Sequence, residues 1–120
     1  MPMISAETIT KAVSTLVESA KPSRIFLLGS YARGDARADS DVDFLVVEPN
    51  VVSKRDEMVR LRRLLRPLRI PLDVLVVSES EFNEWAHLAG TVLNQALTAG
   101  KLLHDGPPQR SDRRDSTWQP

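Results

Sequence analysis

Apolar residues first recur at helical spacing: Ile9, Ala12, Val13, Leu16 and Val17. Ser5 precedes them as a capping residue, and Glu7 suits the first turn, where a negative charge meets the positive end of the helix dipole. Lys21-Pro22-Ser23 stops this helix. Arg24 to Leu28 then forms a short, mainly apolar run between Pro22 and Gly29, the pattern of a buried strand. Gly29 to Ser40 is polar and reads as a loop or short helical turn. A second strand is expected over Asp41 to Val47, ended by Pro49-Asn50.

Ser53 caps a second helix, with Asp56 three residues on. Met58, Leu61, Leu65 and Leu68 mark its apolar stripe, and Pro67 ends or kinks it. Leu72 to Val77 reads as a third strand. Phe82, Trp85, Leu88, Ala89, Val92, Leu93, Ala96 and Leu97 follow at helical spacing, with a break expected near Gly90. Phe82 and Trp85 lie on that stripe as core or interface residues. Gly100 suits the position just past a helix end, and Lys101 to His104 suits a short last strand. Strands alternating with helices define an α/β domain, and the link between the second and third strands is long enough for a parallel crossover. The pattern leaves the strand order open.

The chain has 120 residues, a length suited to one domain, with 42% hydrophobic and 27% charged residues. Residues 1–106 read as that domain. Residues 107–120 hold little to bury and read as a disordered tail. Formal net charge is zero, so attraction to nucleic acid or a membrane requires a local patch. There is no cysteine, which excludes disulfides, thiolate metal sites and a cysteine nucleophile and fits a reducing cytoplasm. The N-terminus lacks an uninterrupted apolar run and reads as neither signal peptide nor membrane span, and no membrane partner is expected.

Asp41 and Asp43 lie two apart on one strand and so share a face, with Cα atoms about 6.6 Å apart. Carboxylates this close repel, and a divalent cation relieves that repulsion; Mg²⁺ takes oxygen ligands, typically carboxylates together with substrate phosphates. Asp-x-Asp pairs also occur at strand starts facing water, so the pair alone decides little. Gly29-Ser30 adds to it: glycine lets backbone approach a phosphate, N–H groups at a following helix start hold anions, and the Ser30 hydroxyl is one more donor. Asp73 stands near the start of an otherwise apolar strand, where an unpaired carboxylate is unexpected. If the second and third strands are neighbours, Asp41, Asp43 and Asp73 together suit two cations that clamp the attacking and leaving oxygens of an in-line displacement.

Gly29-Ser30, ten residues, then Asp41-x-Asp43 resembles the signature of the polymerase-beta-like nucleotidyltransferases. The longer string GSYARGDARADSDVD, with Arg33-Gly34 and Ser40, resembles their smallest branch, the minimal nucleotidyltransferase (MNT) domains. Leu93 to Leu103, with Ala96, Gly100 and Lys101, matches too, and the resemblance spans roughly residues 5–106. It implies a small α/β fold with a short mixed sheet flanked by helices. It implies that Gly29 and Ser30, with Arg33 and Ser40 nearby, hold a nucleoside triphosphate, and that Asp41, Asp43 and Asp73 serve as catalytic metal ligands for two Mg²⁺ ions. The acceptor would attack the α-phosphorus of ATP and release pyrophosphate. Many MNT domains resemble the antitoxin of a toxin–antitoxin pair that transfers AMP to a tyrosine of a HEPN-domain ribonuclease toxin. That toxin is the partner the resemblance implies.

Two other readings stand beside this one. An antitoxin can neutralise its partner by binding alone, which an exposed apolar patch favours. A nucleotidyltransferase acting on tRNA ends would use the basic stretch Lys54, Arg55, Arg60, Arg62, Arg63, Arg66 and Arg69 to hold RNA, although no aromatic residues interleave those charges and a solvated helix face explains them as well. His87 and His104 have no partner at metal-ligand spacing and read as surface or partly buried residues. Tyr31 either lies beside the nucleotide or shapes the turn.

Overall fold

The computed structural model describes residues 4–106; the tail expected at 107–120 lies outside them. Helix α1 (Ala6–Ala20) is capped by Ser5, whose side chain accepts from the Thr8 N–H. It leads into β1 (Arg24–Leu28), then a five-residue helix α2 (Gly29–Arg33) and β2 (Val42–Glu48). Helix α3 (Lys54–Leu65), capped by Ser53, closes in a 3₁₀ turn (Arg66–Leu68) at Pro67, as expected of a residue that lacks the donor to continue the helix. Strand β3 (Leu72–Ser78), helices α4 (Glu79–Trp85) and α5 (Val92–Ala99) and strand β4 (Lys101–Asp105) complete the described chain.

Among the described residues the strands form one mixed sheet in the order β3-β2-β1-β4. β1 runs antiparallel to β2 and β4, while β2 and β3 are parallel, joined by the α3 crossover. Strand alternation divides the core in two. Ile25, Leu27, Val42, Phe44, Val46, Val74 and Val76 pack on one face with Ala12 and Leu16 of α1 and Leu61 and Leu65 of α3. Phe26, Leu28, Leu45, Val47 and Val77 pack on the other with Phe82, Ala86, Leu93 and Ala96 of α4 and α5. Both inner strands are apolar on both faces because helices cover both, as in other α/β sheets.

Two details differ from the sequence pattern, the start of β2 and the exposure of Trp85, while the break expected near Gly90 is present. Asp41 precedes β2, which starts at Val42. The apolar stripe from Phe82 to Leu97 belongs to two helices. Gly90 turns the chain at φ +89°, and Thr91 caps α5 by accepting from the Asn94 N–H while its hydroxyl donates to the Leu88 carbonyl. The Asn94 side-chain amide donates to the Ala86 carbonyl at 2.8 Å and pins the two helices together. Trp85 is not core: α4 turns Phe82 and Ala86 to the sheet and leaves Trp85 45% exposed, and Phe82 stacks on Phe26 with ring centroids 5.5 Å apart. No helix among the described residues is long and apolar enough to cross a membrane.

Candidate active site

The site grows from the register of β2. Asp43 pairs with Leu28 of β1 on one side and with Asp73 of β3 on the other. Residues 43 and 73 therefore lie side by side on parallel strands. They fall on the face occupied by Leu45 and Val47, the α4/α5 side. Val42 and Val74, their neighbours in sequence, are fully buried on the opposite face. Those apolar anchors hold the carboxylates where they are: a one-residue slip would bury two charges and expose two valines.

Leu28 hands the chain directly to Gly29. Gly29 has φ +72°, a backbone conformation that costs an L side chain, and a Cβ placed there would stand 2.8 Å from Asp43 Oδ2. A glycine is needed at this point both for the turn and for the carboxylate beside it. Gly29, Asp43 and Asp73 share one depression of about 180 Å³, with Leu28, Phe44 and Leu75 of the sheet and Val92 and Gln95 of α5.

The electrostatics agree with the placement. The Asp43 carboxyl is held above the usual carboxylate range, first by burial and then by repulsion from Asp73 and Asp41. Asp41 is exposed at the mouth of the strand. Asp73 Oδ1 accepts from the Val74 N–H at 3.0 Å and is bound by the Arg62 guanidinium of α3. Among the described residues no three acidic or imidazole side chains converge on one point as a ready metal cage. The donors nonetheless suit Mg²⁺: two in-register carboxylates, a third nearby and a glycine turn at which phosphates can approach match a cation that takes one or two carboxylates and completes its shell from a nucleotide.

Other expected residues have local duties. Ser40 Oγ accepts from the Arg37 N–H at 2.9 Å and closes the loop before β2. Arg33 lies exposed and pairs with Asp35 at 3.4 Å. The Ser30 carbonyl accepts from Gly34 and Asp35 at the end of α2. The Tyr31 hydroxyl accepts from the Ile4 N–H at 3.0 Å, so Tyr31 shapes the turn by fastening the segment before α1. His87 is exposed and His104 half-buried. Sequence reasoning missed Arg62, Val92 and Gln95. Val92 sits on the apolar stripe, which reads as core, Gln95 carries no signal of its own in the sequence, and Arg62 is hidden among seven cations of one basic stretch.

A model of the nucleotidyltransferase domain matches residues 6–87, from α1 into the turn after α4. No curated protein matches the sequence. A Sulfolobus solfataricus protein provisionally assigned as a nucleotidyltransferase is similar in structure, with TM-score 0.52 and 26% identity over 65% of this chain and 70% of that one. A toxin–antitoxin structure with AMP-PNP is similar at TM-score 0.58 and 25% identity, covering 80% of this chain and 73% of the other. A mutant of the toxin–antitoxin MntA-HpeT, 24% identical over 81% of this chain and 73% of its own, has the same fold at TM-score 0.58. With the family model spanning α1 to α4 and the glycine turn and paired carboxylates inside that span, the chain belongs to the nucleotidyltransferase domain family and has the polymerase-beta-like fold.

Proposed function

We propose that residues 1–106 form a Mg²⁺-dependent adenylyltransferase acting in the cytoplasm as the antitoxin of a HEPN-domain toxin, and that its acceptor is a tyrosine hydroxyl of that toxin. The observation that carries this reading is the Asp43–Asp73 pair, in register across β2 and β3 beside Gly29. The likeness to a toxin–antitoxin structure with AMP-PNP supports the partner class and the adenine nucleotide.

In this reading Gly29 and Ser30 receive the triphosphate, with Arg33 and Ser40 around them, and Asp41, Asp43 and Asp73 hold two magnesium ions. Magnesium supplies charge neutralisation at the phosphates and a more acidic acceptor hydroxyl. The acceptor oxygen forms a bond to the α-phosphorus, the bond to the β-phosphate bridge breaks, and pyrophosphate leaves. Asp73, nearest the open edge of the sheet, takes the hydroxyl proton. Leu28 and Phe44 line the depression beside Asp43 and give the acceptor an apolar flank.

A second reading, neutralisation by binding alone, draws support from apolar side chains left exposed on α4, α5 and the turn between them: Trp85, Leu88, Val92 and Leu97. Of the cations the tRNA reading would use, Lys54, Arg60 and Arg62 pair with Glu81, Glu57 and Asp73. The test is to incubate the protein with labelled ATP, Mg²⁺ and its co-encoded neighbour, beside the double variant Asp41→Ala/Asp43→Ala. Label on the neighbour only with the intact protein is expected. An equally protective complex with the variant, and no label in either case, leaves the binding antitoxin instead.

A further inference from the structure

Arg62 lies on α3, which packs on the sheet face opposite the site, yet its guanidinium reaches round the edge strand β3 to Asp73. The edge position makes this possible: among the described residues no strand flanks β3 on its outer side. The contact uses Oδ1 of Asp73, which already accepts from the Val74 N–H. One carboxylate oxygen therefore holds two donors. Meanwhile Asp43, the register partner of Asp73, is repelled by its acidic neighbours. The acidic cluster needs a positive charge, and among the described residues Arg62 is the cation paired with it.

Resting on the reading of Asp41, Asp43 and Asp73 as metal ligands, we infer that Arg62 is a displaceable counter-ion of Asp73, so that completing the three-carboxylate site exchanges an arginine for a divalent cation. The ion pair suits exchange. Both side chains are about half exposed, 46% for Arg62 and 48% for Asp73. Pairs this exposed are weak and are loosened further by salt. A doubly charged ion with nucleotide phosphates outcompetes such a pair, whereas a buried one would lock the site. Arg62 is thus a positioning residue that acts through Asp73. It sets the cation concentration at which the third ligand is recruited and keeps the acidic cluster neutralised between turnovers.

The test measures binding of Mn²⁺ to the full chain by titration calorimetry, with a non-hydrolysable ATP analogue present. Arg62→Gln is expected to tighten Mn²⁺ binding about two- to fivefold, the range set by losing one exposed ion pair. Arg62→Lys, which keeps the charge, is expected to stay near the wild type. In an Asp73→Asn background Arg62→Gln is expected to change nothing, because the pair is already gone. Thermal melts of each variant confirm folding, and Arg62→Ala gives a second side chain should the glutamine find its own bond to Asp73. Unchanged or weaker Mn²⁺ binding in both Arg62→Gln and Arg62→Ala, with binding abolished by Asp43→Asn, would overturn the exchange and leave the metal site standing. Wild-type Mn²⁺ binding in Asp43→Asn would overturn both.

Discussion

Glu48 is the one charged residue type buried in the described core, only 6% exposed at the end of β2, and its Oε2 has no hydrogen-bond partner when read as a carboxylate. A proton resolves that orphan. Burial pushes the Glu48 carboxyl up to about 8, helped by a hydrogen bond to Glu57 and by its negative charge, with Arg60 opposing. Glu57 is held below the usual range, chiefly by Arg60, whose Nε and Nη2 donate to it at 2.8 and 2.6 Å. The protonated Glu48 therefore donates to an ionised Glu57, and Arg60 also reaches the Ser19 carbonyl of α1 at 3.3 Å, joining α1, α3 and β2.

The sign follows from linkage. Between about pH 4.5 and about pH 8 the folded chain keeps a proton that the unfolded chain releases, so stability is full below that range and falls as pH rises through it. At about 1.4 kcal/mol per pH unit the upper bound is about 4–5 kcal/mol, and relaxation of water in the groove that Glu48 shares with Ser53 and Asp56 reduces the expected loss to about 2–4 kcal/mol. Glu48→Gln places an amide N–H where the acid O–H stood. Guanidinium unfolding followed by circular dichroism should find the variant close to the wild type at about pH 5 and more stable by about 2–4 kcal/mol at about pH 9. The same difference at both pH values, or a wild type that gains stability across the interval, would refute the protonated pair.

Three further outcomes are expected. Gly29→Ala should cost roughly 1–2 kcal/mol from its left-handed backbone, seen as a lowered melting temperature, and should abolish nucleotidyl transfer because the new Cβ displaces Asp43 Oδ2. Leu61→Ala, at a fully buried position between α3 and the sheet, should cost about 2–5 kcal/mol in a urea titration; a cost near that of a surface substitution would contradict the packing. Lys54→Ala should change stability by less than about 1 kcal/mol in the same titration, because its pair with Glu81 is exposed; a larger loss would show that this bridge fastens α4 to α3.

Local physics made much of this legible in the sequence. The strands at 24–28 and 72–77, the Ser5 and Ser53 caps and the stop at Pro67 each follow from a few neighbouring residues. The crossover length allows β2 and β3 to be parallel, but the strand order stayed open in the sequence, and it is the pairing of these two strands that sets Asp43 beside Asp73. What the pattern hid depends on contacts between elements. Trp85 shares its spacing with Phe82, yet α4 buries Phe82 and Ala86, four apart, and leaves Trp85 at the surface. Arg62 looks like any cation of α3 until β3 proves to be an edge strand that it can reach across. Glu48 closes an apolar strand as a strand-end charge should, and only α3, by bringing Glu57 and Arg60, makes it a buried acid.

The most direct test of nucleotidyl transfer at the carboxylate pair compares ATP labelled at the α-phosphate with ATP labelled at the γ-phosphate, in the presence of Mg²⁺ and the acceptor protein. Attack at the α-phosphorus predicts label on the acceptor from the α-position only, pyrophosphate as the released product, and neither with Asp43→Asn. Label arriving from the γ-position, or α-label transferred undiminished by Asp43→Asn, would contradict the assignment of Asp43 and its neighbours as the catalytic site.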